Sequence, residues 1–352
     1  MKRLFQILFL AMIMMAFKSC IPQKYRTVQA DLWPRISLAS PEEVPTYSDS
    51  MVVLYSVRNF HPDQRKFFGN YIDSSGMIRV LLAVCKNNRW KIYIRKNLDE
   101  AMTWLNRGQD LVCYVEGMGK DFPLTLERAM SMSAQYKVRV VMFDYPSINT
   151  DLKISRNFKF ARISSSQASI GFSSWLKTMN DYKIQQKDWI KDQKRTLFHH
   201  SMGNIMIRKA LLDGLADSLS SDLFDHVVLN AACVGQKKHK QWVEKITFSD
   251  HVLIHYNKQD RQLRGAGLLT FQSQLGAKFH RPLAENATYV DFNLLVGKLH
   301  TTFIDIDSRP PIAKEAKAYF HNLFHGKFPD FSDTTKFRIA PKNKGYTLMP
   351  LH

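Results

Sequence analysis

The segment Phe198-His199-His200-Ser201-Met202-Gly203-Asn204 joins a strand-like run to a helix-like run. A serine in such a tight turn projects its hydroxyl clear of both elements. That hydroxyl becomes a nucleophile when a base takes its proton, and the base needs an acid to fix its tautomer. Asp260 and then His300 follow in suitable places. Asp260 closes Ile254-His255-Tyr256-Asn257-Lys258-Gln259-Asp260, a strand and then a polar turn. His300 lies in Gly297-Lys298-Leu299-His300-Thr301-Thr302-Phe303, a loop before the final helix. Together the three residues suit covalent attack on an acyl carbonyl, with Ser201 as nucleophile, His300 as base and Asp260 as the acid that orients it.

Each residue also has a plainer reading. Ser201 suits a helix N-cap, and Asp260 an Asx turn or a partner for Arg261. Twelve histidines compete for the role of base, and Asp144, at the end of another strand-like run, is the reserve acid. His200 is expected to lie against the sheet, and His199 has no assigned role. The negative charge that develops on an attacked carbonyl needs N–H donors. The N–H of Met202, at the start of the helix, is the first candidate. The glycine-containing turn Glu116-Gly117-Met118-Gly119 offers the second, near Gly117 or Met118.

These residues must be carried by a repeating frame. Apolar runs over 51–55, 80–85, 110–115, 138–143, 196–198, 226–230 and 251–256 read as strands, with 91–94 a further candidate. Helical spacing appears over 99–106, 122–135, 170–179 and 205–215. The alternation predicts an α/β fold, with a mostly parallel sheet, helices on both faces and a site at the C-terminal ends of the strands. The main domain is expected over 51–326, with a lid-like insertion at about 149–189 over the pocket and a loosely packed basic tail over 327–352.

From about Met51 to Phe324 the chain resembles the α/β-hydrolases, and within them a bacterial branch of predicted serine hydrolases classed as a domain of unknown function. The resemblance rests on Tyr114-Val115-Glu116-Gly117, Val141-Met142-Phe143-Asp144-Tyr145-Pro146-Ser147, His200-Ser201-Met202-Gly203-Asn204 and Tyr256-Asn257-Lys258-Gln259-Asp260-Arg261. Leu229-Asn230-Ala231-Ala232 is similar to a run that often follows the nucleophile in such proteins. The order serine, aspartate, histidine is the one that fold uses. The resemblance implies an esterase- or lipase-like enzyme with Ser201, Asp260 and His300 as its triad. Two residues depart from the pattern. His199 stands where Gly-x-Ser-x-Gly has its first glycine, and Glu116 replaces a histidine before the oxyanion-loop glycine. A carboxylate there would oppose an oxyanion.

The N-terminus reads as a targeting segment. Lys2 and Arg3 precede the apolar run from Leu4 to Phe17, which is shorter than the roughly 20 residues that span a bilayer. Residues 1–19 are expected as a signal peptide, Cys20 as a lipidation site and 20–50 as a tether, which predicts a lipoprotein on the bacterial cell envelope; plain secretion is the alternative. The other cysteines, Cys85, Cys113 and Cys233, lie in apolar runs and suggest neither a disulfide framework nor a metal site. The net charge of +19 favours anionic surfaces, but the basic residues are scattered and match no nucleic-acid-reading motif. The expected activity is an envelope-attached serine hydrolase of a small-molecule or lipid acyl substrate, with no cofactor. The alternative is a catalytically silent fold that binds a lipid, glycan or protein partner.

Overall fold

A computed structural model describes residues 32–350 apart from 49, 307–309 and 343. The expected signal peptide and Cys20 lie outside the described residues. In chain order the elements are β1 (Ile36–Leu38), β2 (Met51–Ser56), β3 (Arg58–Phe60), β4 (Phe68–Ile72), β5 (Arg79–Lys86), β6 (Arg89–Arg95), α1 (Leu98–Met102), β7 (Leu111–Val115), α2 (Phe122–Tyr136), β8 (Arg139–Asp144), α3 (Ile154–Gln167) and α4 (Ser169–Ile184). Then come β9 (Arg195–His200), α5 (Gly203–Leu212), β10 (Phe224–Asn230), α6 (His239–Val243), β11 (Ser249–Tyr256), α7 (Arg261–Thr270), β12 (Ala287–Asp291), α8 (Asn293–Val296), α9 (Lys314–Phe324), β13 (Phe337–Ile339) and β14 (Tyr346–Leu348).

The fold is α/β. Twelve strands form one sheet in the order β1-β6-β5-β2-β8-β7-β9-β10-β11-β12-β14-β13, and β3 and β4 form a separate hairpin. The block from β2 through β8, β7, β9, β10, β11 and β12 to β14 is parallel throughout. The sheet is nevertheless mixed, because β5 runs antiparallel to both β2 and β6, and β13 to β14. One cause is local. Asn87 and Asn88, between β5 and β6, have φ of 52° and 59°, the backbone of a two-residue hairpin turn.

Side-chain alternation divides the core into two layers. Val53, Cys113, Leu197, Leu229 and Ile254 face α1, α4 and α5, where Ala101, Trp175 and Met206 pack on them. Val52, Tyr114, Phe198, Val228 and Leu253 face α2 and α9, meeting Phe122, Leu126 and Phe320. Helices therefore cover both faces.

The expected insertion divides into two parts with different jobs. Phe172, Trp175, Leu176 and Met179 of α4 are fully buried on the sheet, so that helix belongs to the core. Phe158 and Ala161 of α3 instead join Met202, Cys233 and Leu263 in a smaller apolar group beside Ser201. The expectation of a loosely packed tail fails beyond residue 330. There β14 extends the sheet from β12, β13 pairs with β14, and Phe331 packs against Phe337 and Tyr346.

Candidate active site

Consecutive parallel strands deliver the chemical groups to one edge of the sheet. Glu116 and Gly117 follow β7, Ser201 follows β9, Asp260 follows β11, and His300 lies in the loop after β12 and α8. Open α/β sheets bind ligands at this carboxyl edge.

Ser201 occupies the turn between β9 and α5 with φ of +51°. An L-residue in this left-handed region is strained by about 1–2 kcal/mol and needs its surroundings to hold it there. Its N–H donates to the Asn230 carbonyl at 3.0 Å, and its carbonyl accepts from Cys233 N at 3.0 Å and Asn204 Nδ2 at 3.0 Å. Two glycines make room for the turn. A Cβ on Gly203 would lie 2.9 Å from the carbonyl oxygens of Val115 and Glu116, and one on Gly117 would lie 2.6 Å from Ser201 Cβ.

The predicted serine, histidine and aspartate meet. Ser201 Oγ lies 2.8 Å from His300 Nε2, and His300 Nδ1 lies 2.5 Å from Asp260 Oδ2. All three residues are buried, with Ser201 8% exposed. Asp260 also caps α7: its Oδ1 accepts from Gln262 N at 2.9 Å and Leu263 N at 3.0 Å. The carboxylate is thus fixed by backbone donors while its other oxygen takes the Nδ1–H, which leaves Nε2 unprotonated toward the serine. A cavity of about 10 Å³ is lined by this pair together with Asn230, His255, Asn257 and Thr302. Asp144, the reserve acid, is elsewhere: it pairs with Arg58 Nε at 2.8 Å and accepts from Ser56 Oγ at 2.7 Å, fully buried.

Two supporting residues were not anticipated from sequence. Asn257 Nδ2 donates to the carbonyls of Gly297 (2.8 Å) and Leu299 (3.2 Å), tying the His300 loop to the end of β11. Asn230, aligned with His200 on one side and His255 on the other, bridges both rings. Its Nδ2 donates to His200 Nδ1 at 3.0 Å and its Oδ1 faces His255 Nδ1 at 3.2 Å. Tyr319 OH lies 2.9 Å from His255 Nε2. Period-two alternation could have found this row, because Glu116, His200, Asn230 and His255 share the sheet face that carries Tyr114, Phe198, Val228 and Leu253.

The two departures from the expected pattern are accommodated. His199 points to the opposite face, where its ring meets Phe172 edge-on at 5.0 Å and its Nδ1 donates to the Gly203 carbonyl at 3.1 Å. Burial pushes its pKa down to about 3, so it stays neutral. Glu116 is an ionised buried carboxylate. Burial pushes its pKa up, but Lys120 and Arg128, with hydrogen bonds from Tyr114 and the Gly117 N–H, outweigh that and hold it well below the usual carboxylate range.

The candidate N–H donors separate clearly. Gly117 N–H donates to Glu116 Oε1 at 2.7 Å, Gly119 N–H to the Ser147 carbonyl at 3.1 Å, and Lys120 N–H to Ser147 Oγ at 2.9 Å. Among the described residues the N–H groups of Met118 and Met202 find no acceptor. Gly117 serves by its lack of a side chain, and its N–H is not open to a ligand. Cys233, beside Ser201, is a poor rival nucleophile because burial raises its thiol to about 12.

Among the described residues no group of three or more His, Cys, Asp or Glu side chains is arranged to hold a metal ion, and no helix is long and apolar enough to cross a membrane. No protein-family model matches the chain, and no curated protein matches it in sequence.

Proposed function

We propose that this chain is a serine hydrolase of the α/β-hydrolase type that cleaves an ester or related acyl bond. The observation that carries the reading is the unbroken run from Ser201 Oγ through His300 to Asp260, at 2.8 Å and 2.5 Å, on a strained strand-to-helix turn. Ser201 Oγ attacks the acyl carbon while His300 Nε2 takes its proton, and the Asp260 carboxylate stabilises the imidazolium. The N–H groups of Met202 and Met118 receive the negative charge on the carbonyl oxygen. His300 then protonates the leaving alkoxide, and water activated by the same ring releases the acid and restores Ser201. No cofactor enters the scheme.

The silent-fold alternative rests on His199 and Glu116 as departures from the pattern. One is packed away from Ser201, and the other carries a charge offset by Lys120 and Arg128, so the hydrolase reading is the better supported. Envelope attachment through Cys20 belongs to the same proposal and rests on the sequence alone. Membrane partitioning that is lost in Cys20→Ala supports it, and unchanged partitioning removes it. Activity is tested with 4-nitrophenyl esters of graded chain length. The purified protein hydrolyses at least the short esters, and Ser201→Ala falls to background. Equal rates for the two proteins overturn the proposal.

A further inference from the structure

Glu116 is the residue that the reaction scheme leaves unexplained: a buried carboxylate two residues before Met118, whose N–H is the proposed donor to the oxyanion. Its two oxygens are fully engaged. Oε1 accepts from Gly117 N at 2.7 Å, and Oε2 accepts from Tyr114 OH at 2.6 Å and lies 3.7 Å from Arg128 Nε. Tyr145 OH donates to the Glu116 carbonyl at 3.0 Å, and Lys120 Nζ reaches the Met118 carbonyl at 3.4 Å. On every side of Met118 the loop is therefore pinned, and its own N–H is the one left over.

His200 forms the other boundary. Its Nδ1 accepts from Asn230, so its remaining proton sits on Nε2, which faces Glu116 Oε1 at 3.8 Å. The same ring lies 4.7 Å from the ring of His300. His200 thus touches both the Glu116 carboxylate and the His300 ring, while His300 bonds Asp260.

Resting on the hydrolase reading, we propose that Glu116 is a positioning residue for the oxyanion hole. By taking the N–H of Gly117 it sets the Met118 peptide so that the Met118 N–H faces the reacting carbonyl, while Arg128 and Lys120 offset its charge. Reach, then, matters more than charge. Glu116→Gln keeps an oxygen within reach of Gly117 N, whereas Glu116→Asp keeps the charge and is one methylene too short.

The test compares ester hydrolysis and fluorophosphonate labelling rates of the wild type, Glu116→Gln and Glu116→Asp, with circular dichroism to verify folding. We expect Glu116→Gln to retain kcat within a few-fold. Glu116→Asp loses kcat on the order of 10²-fold at near-constant KM, the loss a misplaced oxyanion donor produces. A Glu116→Asp protein that is folded and as fast as wild type overturns the proposal, as does a Glu116→Gln protein that falls as far as Glu116→Asp. If Glu116→Asp does not fold, Tyr114→Phe, which removes the hydrogen bond to Oε2, reads the same effect: a lower kcat supports the proposal and an unchanged kcat overturns it. An inert wild type removes the hydrolase reading first and this inference with it.

Discussion

Gly117→Ala isolates the fit between the loop after β7 and the turn that holds Ser201. Gly117 is not among the residues with positive φ, so alanine meets no backbone penalty and any effect comes from the added methyl. That methyl would sit 2.6 Å from Ser201 Cβ and 3.2 Å from both the His200 carbonyl and Met202 N. Ordinary contact begins near 3.4 Å, so the two segments must separate by about 1 Å. No flexible side-chain end can yield, because all three opposing atoms are backbone or bound directly to it. A shift of that size breaks the 2.8 Å bond from Ser201 Oγ to His300 Nε2. Misplacement by about 1 Å costs on the order of 10²-fold in rate, or about 2.7 kcal/mol of transition-state stabilisation. Overpacking adds about 1–3 kcal/mol of lost stability. Labelling rate by a fluorophosphonate and the urea midpoint read the two effects separately. A variant that labels at the wild-type rate with an unchanged midpoint would refute the claim that Gly117 packs on the nucleophile.

The strain at Ser201 predicts that Ser201→Gly is more stable than Ser201→Ala by about 1 kcal/mol, both being inactive; equal denaturation midpoints would count against the strained turn. Asp260→Asn keeps an oxygen for Gln262 and Leu263 N–H but no longer holds the His300 tautomer, so activity drops on the order of 10⁴-fold while the fold persists; a mild loss would remove Asp260 from the relay. Burial lowers His199 and His255 to about 3 and His200 well below its ordinary value, so the unfolded chain binds more protons than the folded one between about pH 6.5 and 3. Stability is therefore full above pH 6.5 and falls as the pH drops, by about 2 kcal/mol at pH 5 for each of His199 and His255; urea midpoints that do not change between pH 7 and 5 would contradict this.

The strands around Ser201 were legible because β7, β8, β9, β10 and β11 are short apolar runs bounded by turns, and Ser201 and Asp260 directly follow β9 and β11, whereas His300 read only as a loop residue before the last helix, and helices α3 and α7 gave no clear signal. Other features were not legible. Strand β12, Ala-Thr-Tyr-Val-Asp, is too short and polar to stand out, although it leads into the His300 loop. The antiparallel β5–β6 pair turns on Asn87-Asn88, both at positive φ, and that pair is a weaker hairpin signal in sequence than an Asn-Gly or Asp-Gly turn. The last two strands of the sheet, β14 and the edge strand β13, are three residues each and draw their order from β12 and from Phe331. His199 and Glu116 look like defects in the sequence because alternation separates His199 from His200 without saying that Phe172 packs on the one, or that Arg128 and Lys120 converge on the carboxylate beside the other.

The central claim is that Ser201 is an activated nucleophile. Fluorophosphonate labelling of the purified protein, with the adduct located by peptide mass spectrometry, tests it most directly. The account predicts one adduct, on Ser201, absent in Ser201→Ala and formed far more slowly in His300→Ala. A folded wild-type protein that takes no label, or takes it on another residue, would contradict the account.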